Sequence, residues 1–203
     1  MKKQLVLGLI LIPALCEAQT SRKPALLKVN TQAPFDARCI AETRIEDKDA
    51  PGGFAKSANL PRPIGKMKVK SGGISLEAFP NQIAVFAGQY RGMTLRLINA
   101  STAPKAFQAS DSRLYIVQEA RDQKGEWKPI ETLPSSFCGN SYHQVFLGPR
   151  EFWSFAVPRY EGAFQTKLRF RLKEKNMLLY SNEFGGSINP KQFDFSQRAS
   201  LIR

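Results

Sequence analysis

From residue 74 onward, apolar and polar side chains take turns in short runs. A period of two marks a strand with one buried and one wet face. Residues 74–79 (ISLEAF) alternate until Pro80-Asn81; residues 83–86 resume, and Gly88 to Gly92 supply a turn. Residues 93–99 (MTLRLIN) set Leu95 and Leu97 on one face, Thr94 and Arg96 on the other. A short run follows at 106–109. The run 114–121 closes on Asp122-Gln123-Lys124-Gly125 and is answered by 126–130, which predicts a hairpin. The same reasoning predicts a hairpin of 142–147 with 151–157 around Gly148-Pro149-Arg150, and another of 166–172 with 177–184.

About nine short strands punctuated by turn residues predict an all-β chain, an antiparallel β-sandwich. No apolar stripe of helical period persists over three turns, and the spacing does not suit alternating strands and helices. The alternation nominates a core of Leu76, Val85, Leu95, Leu97, Leu114, Ile116, Trp127, Val145, Leu147, Trp153, Phe155, Leu168, Phe170 and Leu172. Residues 19–70 differ. Segment 47–65 (DKDAPGGFAKSANLPRPIG) is rich in Pro, Gly and small residues and predicts an irregular arm; 26–29 is a candidate strand. Beyond residue 184, Gly185-Gly186 and Asn189-Pro190 predict a turn-rich tail. The expected organisation is a signal peptide at 1–18, an arm at 19–70, the sandwich at 71–185 and a tail at 186–203.

The succession LRLIN (95–99), GEW (125–127), VFLGP (145–149), WSF (153–155) and KLRFR (167–171) resembles exported bacterial proteins with a single immunoglobulin-like sandwich domain. The resemblance spans residues 74–184. It implies an immunoglobulin-like sandwich of about 7–9 strands and no particular activity.

The N-terminus changes the picture by suggesting a compartment. Lys2-Lys3, the apolar run 5–12 and the small-residue spacing at Cys16-Glu17-Ala18 predict cleavage after Ala18 and export to the periplasm or beyond. The run is too short to be a permanent span. A lipid anchor on Cys16 is the lesser expectation, because Leu15 is large and Pro13 stands where a leucine belongs. Cleavage leaves Cys39 and Cys138, an even number in an oxidising compartment, and predicts one disulfide between them. The alternative makes Cys138 a nucleophile served by His143, the sole histidine. Five extended residues span about 16 Å, so that pairing needs Gly139-Asn140-Ser141 to fold the chain back. His143 shares parity with Val145 and Leu147, which places it at the core rim.

Cofactors are not expected. One histidine cannot build a soft-ligand zinc site. Asp47-Lys48-Asp49 resembles the start of a calcium loop, but Pro51 and Ala58 occupy two of its ligand positions. Glu119, Glu126, Glu131, Glu151 and Glu161 are scattered and define no catalytic pair.

Charge is the remaining signal. The formal charge is +13, and export would lower it by one. Lys167, Arg169, Arg171 and Lys173 project from one face of a predicted strand, opposite Leu168, Phe170 and Leu172, and Arg96 points outward elsewhere. Such a ladder repels itself unless acidic neighbours or an anionic partner relieve it. A further cluster, Lys66, Lys68 and Lys70, precedes the strands. The expectation is a non-enzymatic binding or scaffolding module at the cell envelope, contacting an anionic polymer or an acidic protein through Arg96, Lys167, Arg169, Arg171 and Lys173. Export disfavours nucleic acid. The alternatives are a solvated face neutralised by glutamates on the next strand, or an envelope hydrolase or transferase using Cys138 or a carboxylate pair.

Overall fold

The computed structural model describes residues 25–33, 36, 38–69 and 72–194. The expected signal peptide with Cys16, Lys70 and the tail beyond residue 194 lie outside the described residues. Alternating side chains from residue 74 build strands throughout. β1 is Arg62–Pro63, β2 Ile74–Phe86, β3 Tyr90–Asn99, β4 Lys105–Ser110, β5 Arg113–Leu114 and β6 Ile116–Arg121. β7 is Trp127–Pro129, β8 Tyr142–Leu147, β9 Glu151–Pro158, β10 Phe164–Glu174, β11 Met177–Tyr180 and β12 Phe184–Ile188. Two short 3-10 turns, Gly139–Ser141 and Pro190–Phe193, complete the regular elements of the described residues.

The strands pair antiparallel in three sheets. The first runs β1-β9-β3-β2, the second β11-β10-β6-β7 with β12 also on β10, and the third β5-β4-β8. Between β5 and β6 the chain leaves one sheet for another at Tyr115: Leu114 pairs with Ala109, whereas Ile116 pairs with Leu172. Two expected hairpins form, β6 with β7 and β10 with β11. The third does not. β8 pairs with β4 while β9 pairs with β3 and β1, so Gly148-Pro149-Arg150 crosses between sheets. Buried Asn99 holds that crossing, its Nδ2 donating to the carbonyls of Leu147 and Gly148 at 3.0 Å each.

The expected tail also differs, because Gly185-Gly186 lies within β12 opposite Lys167 and Thr166. A Cβ on Gly186 would stand 2.5 Å from Leu168 Cδ1, so a side chain there would oblige the leucine tip to shift.

One core cluster draws on all three sheets and on the arm. Of the expected core residues only Val85 and Trp127 are not buried. The β2–β3 register is irregular between Phe79 and Ile83, and beyond it Phe86 is buried while Val85 is 53 % exposed. Trp153 is fully buried, meets Phe107 edge-on at 5.8 Å and donates its Nε1–H to the Glu42 carbonyl at 2.8 Å.

The arm is irregular but docked. Val29, Cys39 and Ala41 enter the main core. Leu27 exchanges backbone bonds with Gln89 and Arg91, Glu161 N donates to the Val29 carbonyl, and Leu114 N to that of Cys39. Residues 64–69 cover the outer face of the first sheet, where Ile64, Met67 and Val69 meet Ile98 and Phe152.

Candidate functional site

The expected basic face divides. Lys167, Arg169, Arg171 and Lys173 do share the outward face of β10, with Leu168, Phe170 and Leu172 buried beneath. Glu119 on β6 sits directly opposite Arg169 in the register and is only 3 % exposed. Its carboxylate pairs with Arg169 Nε at 2.9 Å and lies 3.0 Å from Arg171 Nε. The Arg169 guanidinium is also held between two rings, 4.1 Å from the Trp127 centroid and 3.7 Å from that of Tyr180. These contacts commit the two arginines to the fold. The exposed remainder of the ladder is Lys167 and Lys173.

Arg96 stands apart on β3 in the first sheet. Its guanidinium lies over Phe79 at 4.5 Å and Phe152 at 5.6 Å, beside Gln82 and Met67. Lys66 and Lys68 point outward near it, flanking Met67. The structure therefore does not bring Arg96 together with the β10 cations.

A different grouping of cations emerges from the fold. Arg91 in β3 and Arg159 after β9 are joined by a backbone bond, Arg159 N to the Arg91 carbonyl at 3.4 Å. On the other side Arg121 ends β6, Lys167 stands on β10, and Thr166 Oγ1 donates to the Arg121 carbonyl at 2.7 Å. Together these four line a cleft of about 880 Å³ whose walls come from two sheets and include Gly185 and Gly186. A Cβ on Gly185 would meet nothing within 4 Å, so at that position the wall is bare backbone beside open space.

The charges around the cleft are unbalanced. Its two carboxylates already have cations of their own: Asp122 pairs with Lys128 at 3.0 Å and Glu161 with Lys28 at 2.8 Å. Lys128 and two backbone N–H groups hold the Asp122 carboxyl below its ordinary range. Arg121 has an exposed pair with Glu183 at 3.5 Å, which contributes little in water, and its guanidinium lies 5.0 Å from the Trp127 ring centroid. Among the described residues Lys167 makes no ion pair and buried Arg91 Nε has no hydrogen-bond acceptor. An orphaned arginine N–H beside other cations suits an occupant that supplies anionic oxygens. Sequence reasoning reached only Lys167 of this set. The others sit at strand ends beside turns, a local cue, but nothing local brings them together.

The expected disulfide is not formed. Cys39 and Cys138 are both free thiols. Cys39 faces the core at 2 % exposure, whereas Cys138 is exposed just before the 139–141 turn, so one sulfur points to the interior and the other to solvent. Burial, then the charge of Glu131, pushes the Cys39 thiol well up, which keeps it protonated and unreactive. Nor does a hydrogen bond join Cys138 to His143. The imidazole is 7 % exposed, its Nδ1 lies 3.1 Å from the Ser141 carbonyl, and its ring stacks on Phe54 at 3.6 Å.

The remaining carboxylates occupy separate places. Glu126 pairs with Lys128, Glu151 with Arg44 and the Gly148 N–H. Glu131 is buried, accepting from Tyr160 Oη at 2.9 Å and Gln118 N at 2.8 Å. Desolvation raises its pKa to about 7 against those two bonds. Asp47 accepts from Asp49 N and Gln144 N. Among the described residues no group of three or more His, Cys, Asp or Glu side chains is arranged to hold a metal ion, and no helix is long and apolar enough to cross a membrane.

Comparison of the chain with family models, with curated proteins and with solved structures finds no match.

Proposed function

We propose that this chain is an exported binding or scaffolding module of the cell envelope, built as an immunoglobulin-like β-sandwich, that holds an anionic partner in the cleft of Arg91, Arg121, Arg159 and Lys167. The observation that carries the reading is the imbalance in that cleft: four cations converge on it, and its two carboxylates are already paired with Lys28 and Lys128. Side-chain burial on facing sheets around one core supports the sandwich. The signal-like N-terminus supports export. Within this reading the β10 arginines stiffen the sheet beside the cleft, and Lys167 belongs to both the ladder and the cleft.

The test is binding of full-length mature protein to polyphosphate and to polyglutamate, at rising salt. The expected result is affinity that falls steeply with salt and drops about tenfold or more in Lys167→Glu combined with Arg121→Glu, with thermal stability unchanged. Equal affinity in that variant, or affinity indifferent to salt, overturns the reading.

A further inference from the structure

On another part of the molecule, the edge of β8 and the 47–50 loop enclose a recess of about 410 Å³ with the opposite character. Asp47 and Asp49 line it, and no lysine or arginine does. Neither aspartate makes an ion pair among the described residues, although the chain carries a formal charge of +13. In a cationic protein such an unpaired acidic pocket calls for an account. An acidic pair alone is weak grounds, since carboxylates are well solvated at a surface. Here a second observation stands beside it.

The recess shares a wall with His143, whose side chain is more than nine-tenths buried. The Ser141 carbonyl can only accept, so the Nδ1 contact at 3.1 Å requires the proton on Nδ1. In the neutral imidazole Nε2 is then the acceptor, and it is buried with no hydrogen-bond partner among the described residues. Leaving a buried acceptor unmade costs free energy that a donor would recover. Tyr115 and Tyr142 add aromatic surface to the same wall, and burial raises the Tyr115 hydroxyl, with Tyr142 and Glu174 adding to the effect and Arg113 opposing it. Carboxylates, an imidazole lone pair and π faces all seek the same complement: a cation rich in N–H donors. A divalent metal fits poorly, because the described residues hold no three-ligand group.

We infer that the recess of Asp47, Asp49, Tyr115, Tyr142 and His143 is a binding site for an alkylammonium group, carried by a small free amine or by a lysine side chain. This site is independent of the basic cleft and of the anionic partner proposed for it. The ammonium is held between the two carboxylates, its alkyl chain lies along the tyrosines, and its docking gives His143 Nε2 a donor.

His143 is the sole histidine, so in tag-free full-length protein its imidazole signals are unambiguous by NMR. The probes are 1,5-diaminopentane for a free amine and Nα-acetyl-lysine amide for a side chain, with 1-pentanol as the uncharged control. The expected result is a saturable shift of the imidazole signals with at least one amine and none with pentanol. Which amine binds more tightly assigns the source. Asp49→Asn should weaken binding about tenfold; Asp49 is exposed and its carboxylate accepts no hydrogen bond among the described residues, so that variant keeps the native structure. No shift with either amine overturns the inference, as do an equal shift with pentanol and undiminished binding by Asp49→Asn.

Discussion

At the scale of single residues, Glu131 is the clearest conflict between chemistry and place. Its carboxyl is buried beside Tyr160 and the Gln118 N–H, and both bonds favour the charged form, yet loss of water outweighs them. The folded state therefore holds a proton that the unfolded state gives up at about 4.5. The sign follows from linkage: this group leaves stability highest below pH 4.5 and lowers it as pH rises toward 7, by about 3 kcal/mol in all. Glu131→Gln removes the ionisation, so the variant should gain on the wild type as pH rises through that window. Urea denaturation at pH 5 and pH 8 measures it; equal pH dependence in both proteins would count against the assignment. Nothing in the sequence marked Glu131. Alternation predicts which way a strand residue points, but Glu131 follows β7 in a loop, and its burial depends on the arm and on Tyr160.

Among the elements, β10 shows how a correct local reading leaves the neighbouring strands out of view. Strict alternation over 166–173 correctly placed the cations outward and the apolar side chains inward. What alternation cannot supply is the neighbour. β6 brings Glu119 opposite Arg169, and β7 and β11 bring Trp127 and Tyr180 to either side of its guanidinium. Arg169→Ala should therefore lower stability by about 2–3 kcal/mol, because it strips a nearly buried carboxylate of its best partner, while binding in the cleft stays as it was. A double-mutant cycle with Glu119→Ala, read by thermal unfolding, would show coupling between the two positions. A loss of polyanion binding with no loss of stability would return Arg169 to the contact surface. The crossing at Gly148-Pro149-Arg150 was illegible for a related reason. A hairpin and a passage between sheets use the same turn residues, and the difference lies in Asn99, distant in sequence, which bonds the carbonyls of the crossing.

Taken as a whole, the molecule is held together without the expected cross-link. The arm is anchored by backbone bonds to β3, β5 and the loop after β9, and by Val29, Cys39 and Ala41 in the core. Thiol labelling checks this at the scale of the full chain. Cys138 should react with a maleimide in the native protein, and Cys39 only at the rate of unfolding. Two thiols that stay silent until a reductant is added would restore the disulfide. Side-chain alternation and turn chemistry are local and repeat along the chain, so they were enough for the strand content, the antiparallel orientation and twelve of the fourteen expected core residues, while the rest of the core, including Val29, Cys39 and Ala41 from the arm, was not read from them. The third dimension decided which strands meet across sheets, whether two cysteines face each other, which cations are neutralised and which converge. Arg91, Arg121, Arg159 and Lys167 form one cleft only because β3, β6, β9 and β10 carry them to the same edge, and coulombic fields depend on distance in space, to which a linear pattern is blind.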